Sequence, residues 1–363
     1  MHLTLIAGAR PNFMKIAPII HAINEANNNG ENIQYRLVHT GQHYDHRMSE
    51  TFFEELRIPN PDVNLNCGGG TQAEQTAAIM VAFEKDLLAN PTDLLVVVGD
   101  VNSTMACSIV AKKLNTKVAH IEAGIRSFDL SMPEEINRMV TDALADYFFT
   151  TSLWAGENLE KSGVPPNKIF FVGNVMIDTL LKNRGNFKRP SFFSELELKK
   201  GAYFVLTLHR PANVDLVENF KSLMQEIIDN ANNQPIIFPM HPRTAKLFDE
   251  LGIKAPNLKI VDPMGYLEFN YLVENSKAVI TDSGGITEET TVMGIPCITL
   301  RDNTERPETV KIGTNELIGT NPDAIAPTIL KLDKGDWKKG GIPELWDGNA
   351  ARRIVDRLIN VIR

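Results

Sequence analysis

The sequence predicts an α/β protein of two domains, each organised around a parallel, doubly wound sheet. Three observations carry that expectation. Short runs rich in β-branched residues alternate with helix-patterned segments along the whole length, the arrangement that builds βαβ units. The alternation stops in a charged segment near residues 182–200 that lacks strand character, and then restarts. A length of 363 residues with 43% apolar side chains, set against about 150 residues per domain, is enough chain for two cores.

Taken in order, the first strand is Leu3 to Ala7. No basic region precedes this apolar run and no small-residue cleavage site follows it, so it reads as a buried strand and not as an export signal. Asn27 to Asn29 with Gly30 make a turn. Further strands are expected at Tyr35 to His39, Leu94 to Val98, Val118 to Ile121, Tyr147 to Thr150 and Ile169 to Val172. The second half repeats the pattern at Tyr203 to Leu208, Ile236 to Met240, Leu258 to Val261, Ala278 to Thr281 and Cys297 to Leu300. These runs define a Rossmann-like domain over residues 1–178 and a second over 179–348. The last helix, 349–363, lies beyond the Gly- and Pro-bearing loop Gly340 to Gly348 and is expected to pack back on the first domain.

Composition narrows the function. A formal charge of -8, with no Lys/Arg run longer than a pair, provides no basic stripe for a nucleic-acid backbone. No apolar stretch approaches the roughly 20 residues of a membrane span. Cys107 falls in an apolar helical segment, Cys297 in an apolar strand and Cys67 alone beside glycines, so neither a metal-ligand pair nor a disulfide framework is indicated. A reducing cytosol fits this usage, and the expected location is cytoplasmic.

Ligands of open α/β sheets bind beyond the carboxyl ends of the strands. In the first half Arg10, Asp100 and Glu122 fall there, and in the second half His209, His241, Ser283 and Arg301. Gly8-Ala9-Arg10-Pro11 leaves a strand and opens a helix, with Lys15 one turn further on: a helix N-terminus with two cations suits a phosphate. The plainer reading is a strand-to-helix turn with solvated cations. Asp282-Ser283-Gly284-Gly285 repeats the arrangement, with small residues where backbone N–H groups could approach a diphosphate and Glu289 a turn later for ribose hydroxyls. An Asp or Ser helix cap is the alternative.

Asp100, Glu122 and Glu134-Glu135 are carboxylates suited to acid and base roles on opposite faces of a substrate. Asp100 could instead cap the next helix, and Glu134 suits the first turn after Pro133. Glu122, between apolar residues and a glycine, has no evident structural duty. His209 and His241 end strands, while His43 reads as a structural histidine. The polar run Arg301 to Glu308 brings Arg306 within reach of a ligand, or is an exposed charged loop. Gly68-Gly69-Gly70-Thr71-Gln72-Ala73 matches the loose dinucleotide pattern without the preceding buried strand or a ribose-binding acid, and no Gly-x4-Gly-Lys-Ser/Thr run exists. Hydride and ATP chemistry are therefore not signalled.

As an ordered set these segments closely resemble the non-hydrolysing UDP-N-acetylglucosamine 2-epimerases. The likeness runs from Gly8 to Lys15 through Thr40-Gly41-Gln42-His43, Gly99-Asp100, His120 to Gly124, Pro133 to Arg138 and Leu208-His209-Arg210 to Thr281 to Gly285 and Arg301 to Glu308. The resemblance implies two facing Rossmann-like domains of the glycosyltransferase B type, an active site in the interdomain cleft, and a homodimer. It assigns Asp100, Glu122, Glu134 and His209 to catalysis. Arg10, Lys15, Ser283, Gly284, Gly285, Glu289 and Arg306 then hold the nucleotide-sugar, with Phe269 beside the uracil. The implied reaction interconverts UDP-GlcNAc and UDP-ManNAc without metal or redox cofactor, by elimination of UDP to a 2-acetamidoglucal and re-addition.

Many bacterial relatives bind a second UDP-GlcNAc, and Gln42, Arg210 and His241 match that second site. Asp45 stands where those relatives carry Gln, and Gly68 to Gly70 where they offer Arg, which speaks against activation by a second substrate molecule. A sister group acting on UDP-2,3-diacetamido-2,3-dideoxyglucuronate shares the motifs. A retaining glycosyltransferase of the same fold would use the Ser283 to Glu289 segment but not the carboxylates. A metallophosphoesterase would carry Gly-Asn-His where Gly173-Asn174-Val175 stands. A non-catalytic sugar-binding protein would usually be exported.

Overall fold

A computed structural model describes residues 1–42, 53–210, 213, 217–240, 248 and 251–362. The chain divides into two compact units, residues 1–182 with 344–363, and residues 183–343. The expected boundary at residue 178 falls inside a continuous helix, Val175–Asn183, so the division lies at that helix's end. Residues 344–348, expected in the second domain, belong to the first, where the buried Trp346 donates its indole N–H to Thr151 O at 3.0 Å.

The first unit holds a sheet of β1 (His2–Ala7), β2 (Gln34–His39), β3 (Val63–Asn64), β4 (Leu94–Val98), β5 (Lys117–Ile121), β6 (Tyr147–Thr150) and β7 (Ile169–Phe171). All pairings are parallel, in the order β3-β2-β1-β4-β5-β6-β7. The helices joining them are α1 (Arg10–Asn28), α2 (Gln72–Ala89), α3 (Asn102–Lys113), α4 (Pro133–Leu144), α5 (Leu153–Lys161) and α6 (Val175–Asn183). Strand order reverses between β1 and β4, so the loops after those strands diverge to opposite faces and leave a crevice at their carboxyl ends. Val38, Leu95, Val97 and Val118 from the strands pack with Phe83, Ile79 and Cys107 from α2 and α3.

The second unit repeats the plan. β8 (Phe204–Thr207), β9 (Ile236–Pro239), β10 (Leu258–Val261), β11 (Ala278–Thr281), β12 (Cys297–Thr299) and β13 (Asn315–Leu317) pair in parallel in the order β10-β9-β8-β11-β12-β13. Here the reversal lies between β8 and β11. Its described helices are α7 (Phe192–Glu195), α8 (Val217–Asn230), α9 (Tyr266–Glu274), α10 (Gly284–Met293), α11 (Pro307–Lys311) and α12 (Ile325–Asp333). The core is apolar, with Phe220, Phe238 and Phe248 among its larger side chains.

The final helix, α13 (Ala350–Ile362), packs on α1 within the first unit. Its buried residues, Ala350, Ala351, Ile354, Val355 and Leu358, recur at helical spacing, while Arg352, Asp356 and Arg357 do not share that face. Two strands escape the sequence patterning, β3 and β13, of two and three residues at sheet edges. Cys67, Cys107 and Cys297 are buried and free. Among the described residues no helix is long and apolar enough to cross a membrane.

Candidate active site

In the first unit the groups of interest leave β1, β4 and β5, three adjacent strands, at one edge of the sheet. The turn after β1 is built by Asn12, whose Oδ1 accepts the N–H groups of Gly8 and Ala9 at 3.1 and 2.9 Å. Its Nδ2 donates to Val98 O at 2.9 Å, pinning this turn to the end of β4. Gly8 has to be glycine, because a Cβ would lie 2.0 Å from Ser103 Oγ. Arg10 opens α1 half-buried, and burial lowers its pKa against the opposing charge of Glu55.

Lys15 is buried, and its Nζ donates to Glu122 Oε2 at 2.5 Å. The cation that the sequence motif offers to a phosphate is thus aimed at the carboxylate of Glu122. Glu122 is itself 3% exposed and has φ 67°, a left-handed backbone for a residue other than glycine. A Cβ on Gly99 would stand 3.3 Å from Lys15 Nζ and 3.7 Å from Glu122 Oε2, so the pair abuts the residue immediately before Asp100.

Asp100 does not cap α3, whose N-cap is Val101. Its Oδ2 accepts from Arg138 Nε at 2.9 Å and Nη2 at 2.6 Å, and its carbonyl accepts from Asn137 Nδ2 at 2.9 Å. Glu134 and Glu135 part company. Glu134 is exposed on the first turn of α4, whereas Glu135 is wholly buried and accepts from Ser127 N, Ser127 Oγ, Phe128 N and Arg138 Nη1. Glu135 therefore shapes the loop after Glu122, and Glu134 is the carboxylate left facing outward.

His120 is structural: Nδ1 lies 2.7 Å from Asp142 Oδ1 and Nε2 2.9 Å from Gly99 O. Burial raises the Asp142 carboxyl, but His120 and Arg126 together hold it below the usual carboxylate range. Gln42 accepts from Ser103 N and Oγ at 3.1 and 2.7 Å, which commits it to the start of α3. Gly68 to Gly70 serve as a tight lead into α2, with Thr71 and Glu74 forming a capping box. His43, Asp45 and His241 lie outside the described residues.

In the second unit, β8 and β11 deliver His209, Arg210 and the Asp282 to Gly285 turn to the reversal point. Asp282 is fully buried, with Oδ1 2.8 Å from His209 Nδ1. Arg210 donates through Nε to Asp282 O at 2.9 Å. Ser283 is the N-cap of α10 but its side chain makes no capping hydrogen bond. A Cβ on Gly284 would meet Glu305 Oε1 at 2.6 Å, whereas one on Gly285 would meet nothing within 4 Å, so the opening turn of α10 is approachable at Gly285.

Further along, Tyr266 donates its hydroxyl to Glu289 Oε1 at 2.9 Å. Burial, with Glu288 adding to it against that hydrogen bond, pushes the Glu289 carboxyl up to about 7. Phe269 lies half-buried one turn after Tyr266 on α9. Arg306 is buried in an ion pair with Glu288, and Arg301 Nη2 donates to Glu305 Oε2 at 2.6 Å. The polar run 301–308 is thus mostly an interior ion network, contrary to the exposed-loop alternative.

Sequence reasoning singled out neither Glu288 nor Tyr266, and weighed Asp282 only as a helix cap. Arg138 left a trace, three residues after Glu135 and so on the same helical face.

The model of the UDP-N-acetylglucosamine 2-epimerase family matches residues 25–359. The chain is 43% identical to the UDP-N-acetylglucosamine 2-epimerase of Methanocaldococcus jannaschii, with 98% of each chain covered. It is 40% identical to the UDP-2,3-diacetamido-2,3-dideoxy-D-glucuronate 2-epimerase of Pseudomonas aeruginosa, over 90% of each. Its structure resembles the crystal structure of the M. jannaschii UDP-GlcNAc 2-epimerase in complex with UDP-GlcNAc and UDP, with a TM-score of 0.89, 41% identity, and coverage of 99% of this chain and 100% of the other.

Proposed function

The chain belongs to the UDP-N-acetylglucosamine 2-epimerase family, and from that premise we propose that it interconverts UDP-GlcNAc and UDP-ManNAc by elimination and re-addition of UDP. The observation that carries the reading is the convergence of Glu122, paired with Lys15, and Asp100, paired with Arg138, at the ends of adjacent strands. Removing a proton from one face of a sugar carbon and returning one to the other needs two ionisable groups, and these are two carboxylates fixed in place by cations.

The chemistry follows from the substrate. The C2 hydrogen has no adjacent carbonyl to acidify it, so its removal is coupled to departure of the anomeric substituent. A carboxylate takes the C2 proton, the C–H electron pair becomes the C1–C2 π bond, and the C1–O electron pair leaves with UDP. Reprotonation of C2 from the other face and return of UDP to C1 complete the inversion. Asp100, Glu122 and Glu134 share the proton work. Arg10, Ser283, the Gly284-Gly285 backbone and His209 stabilise the departing diphosphate, preorganised groups of a kind typically worth about 3–4 kcal/mol each. Glu289 and Phe269 take the nucleoside end. The buried free thiols suit a reducing, cytosolic setting.

The test is incubation with UDP-GlcNAc in deuterated water, with UDP-2,3-diacetamido-2,3-dideoxyglucuronate in parallel. UDP-ManNAc carrying deuterium at C2 is expected. Product that retains its C2 hydrogen would sink the elimination mechanism, and turnover of the glucuronate alone would move the substrate to the sister group.

We also propose a homodimer. Helices α2, α3 and α4 pack side by side, and the outer two leave Val81, Leu88, Ile136 and Met139 exposed by 46% to 63%. Apolar side chains exposed on neighbouring helices suit a protein partner. Light scattering should give twice the chain mass, falling to the monomer with Val81→Glu and Met139→Glu combined; a monomeric parent protein would refute it.

A further inference from the structure

One buried carboxylate in the second unit belongs to neither the substrate grip nor the proton chemistry, yet it ties the two together. Strands β8 and β11 are neighbours at the point where strand order reverses. Asp282, the first residue beyond β11, reaches across that point to the residues beyond β8. Its Oδ1 lies 2.8 Å from His209 Nδ1, and its two oxygens lie 3.2 and 3.0 Å from the His209 backbone N–H. Oδ2 also accepts from Arg210 N at 2.9 Å and Asn213 Nδ2 at 3.1 Å. The Asp282 side chain is 0% exposed while that of His209 is 62% exposed, so anchoring Nδ1 leaves Nε2 on the open side of the ring.

Resting on the epimerase reading of His209, we propose that Asp282 is the positioning residue of that histidine: it holds the proton on Nδ1 and turns Nε2, the ring's proton donor, towards the departing diphosphate. The proton passes from Nε2 to a diphosphate oxygen as the C1–O bond breaks, leaving a neutral ring with Nδ1–H on Asp282, and it returns to Nε2 when UDP re-adds. Burial works against an ionised Asp282, but the hydrogen bonds from His209, Arg210 and Asn213 hold it below the usual carboxylate range. It therefore remains an acceptor at neutral pH. The next residues are Ser283 and Gly284 at the start of α10, so the same side chain registers the proton donor against the phosphate-facing turn.

Asp282→Asn tests this. The substituted side chain keeps one oxygen, which Arg210 N–H and Asn213 Nδ2 claim, so its NH2 turns to His209 Nδ1 and drives the ring proton to Nε2. With the full chain labelled in its histidines with 15N, and the His209 signal assigned by its loss in His209→Asn, the neutral parent ring should show the Nδ1–H tautomer and the variant the Nε2–H tautomer. The kcat for UDP-GlcNAc should fall roughly 100-fold or more, while KM and UDP affinity stay within about threefold. An Nε2–H tautomer in the parent, or parent kcat in the variant, overturns the proposal. Should the variant fail to fold, the parent spectrum alone decides. An Nδ1–H signal in a chain that turns over no UDP-sugar would support the positioning and sink the epimerase reading instead.

Discussion

Glu122 joins a φ of 67° to a carboxylate buried against Lys15 at 2.5 Å. A left-handed backbone under a long side chain costs about 1–3 kcal/mol and persists only where the surroundings over-determine it. They do so here: two residues on, Gly124 at φ 76° passes so close to α5 that a Cβ would lie 2.1 Å from Ala155 O. Glu122→Gln keeps the turn and leaves Lys15 an acceptor, but it strips that buried ammonium of its counter-charge, so the melting temperature should fall as well. The kcat for UDP-GlcNAc should fall by roughly 10²- to 10⁴-fold, and steady-state turnover at the parent rate would remove Glu122 from the mechanism. The sequence singled out Glu122 because nothing local explains a carboxylate between apolar residues and glycine. It could not single out Asp282 in the same way. An Asp before Ser-Gly-Gly reads as a helix cap, and its real partner lies 73 residues away.

At the level of elements, the attachment of α13 turns on one side chain. Asp178 on α6 accepts the N–H groups of Ala350 and Ala351 at 3.1 and 2.7 Å, doing for α13 what an N-cap residue normally does from within. Asp178→Ala is expected to destabilise the first unit by about 1–2 kcal/mol, within the range of a lost cap, and to speed amide exchange along 350–362. Unchanged exchange there would mean that apolar packing on α1 holds the helix alone. That packing was legible, since Ala351, Ile354, Val355 and Leu358 mark one face. Strands β3 and β13 were not, because two or three residues show no alternation and become strands only by docking on β2 and β12.

Across the whole molecule, buried carboxyls set the pH response. Burial pushes Asp178 up to about 6, and Glu289 and Glu308 up to about 7 each. These folded values lie above the unfolded ones, near 4, so the folded chain binds more protons between about pH 4 and pH 7 and the stability they contribute is lost as pH rises through that window. Asp142 and Asp282 act with the opposite sign: their lowered values contribute stability above about pH 4 that is lost as pH falls further. Stability should therefore peak near pH 4 and fall from there towards neutrality. The urea midpoint is expected to be higher at pH 5 than at pH 8, and Glu308→Gln should narrow the gap; a midpoint that climbs from pH 5 to 8 would contradict the assignment of these groups.

What the sequence determined by itself is what short-range physics can write: alternation of strand and helix, glycine where backbones turn or touch, and polar residues at the carboxyl ends of predicted strands. Arg10, Asp100, Glu122, His209 and Ser283 were visible on those terms. Only the tertiary structure decided how they are held: Lys15 on Glu122, Arg138 on Asp100, Asp282 on His209, Glu288 on Arg306. All four pairs join segments that follow different strands and meet only when those strands take their places in the sheet, and the ends of a chain segment carry no record of which neighbour the sheet will bring beside them.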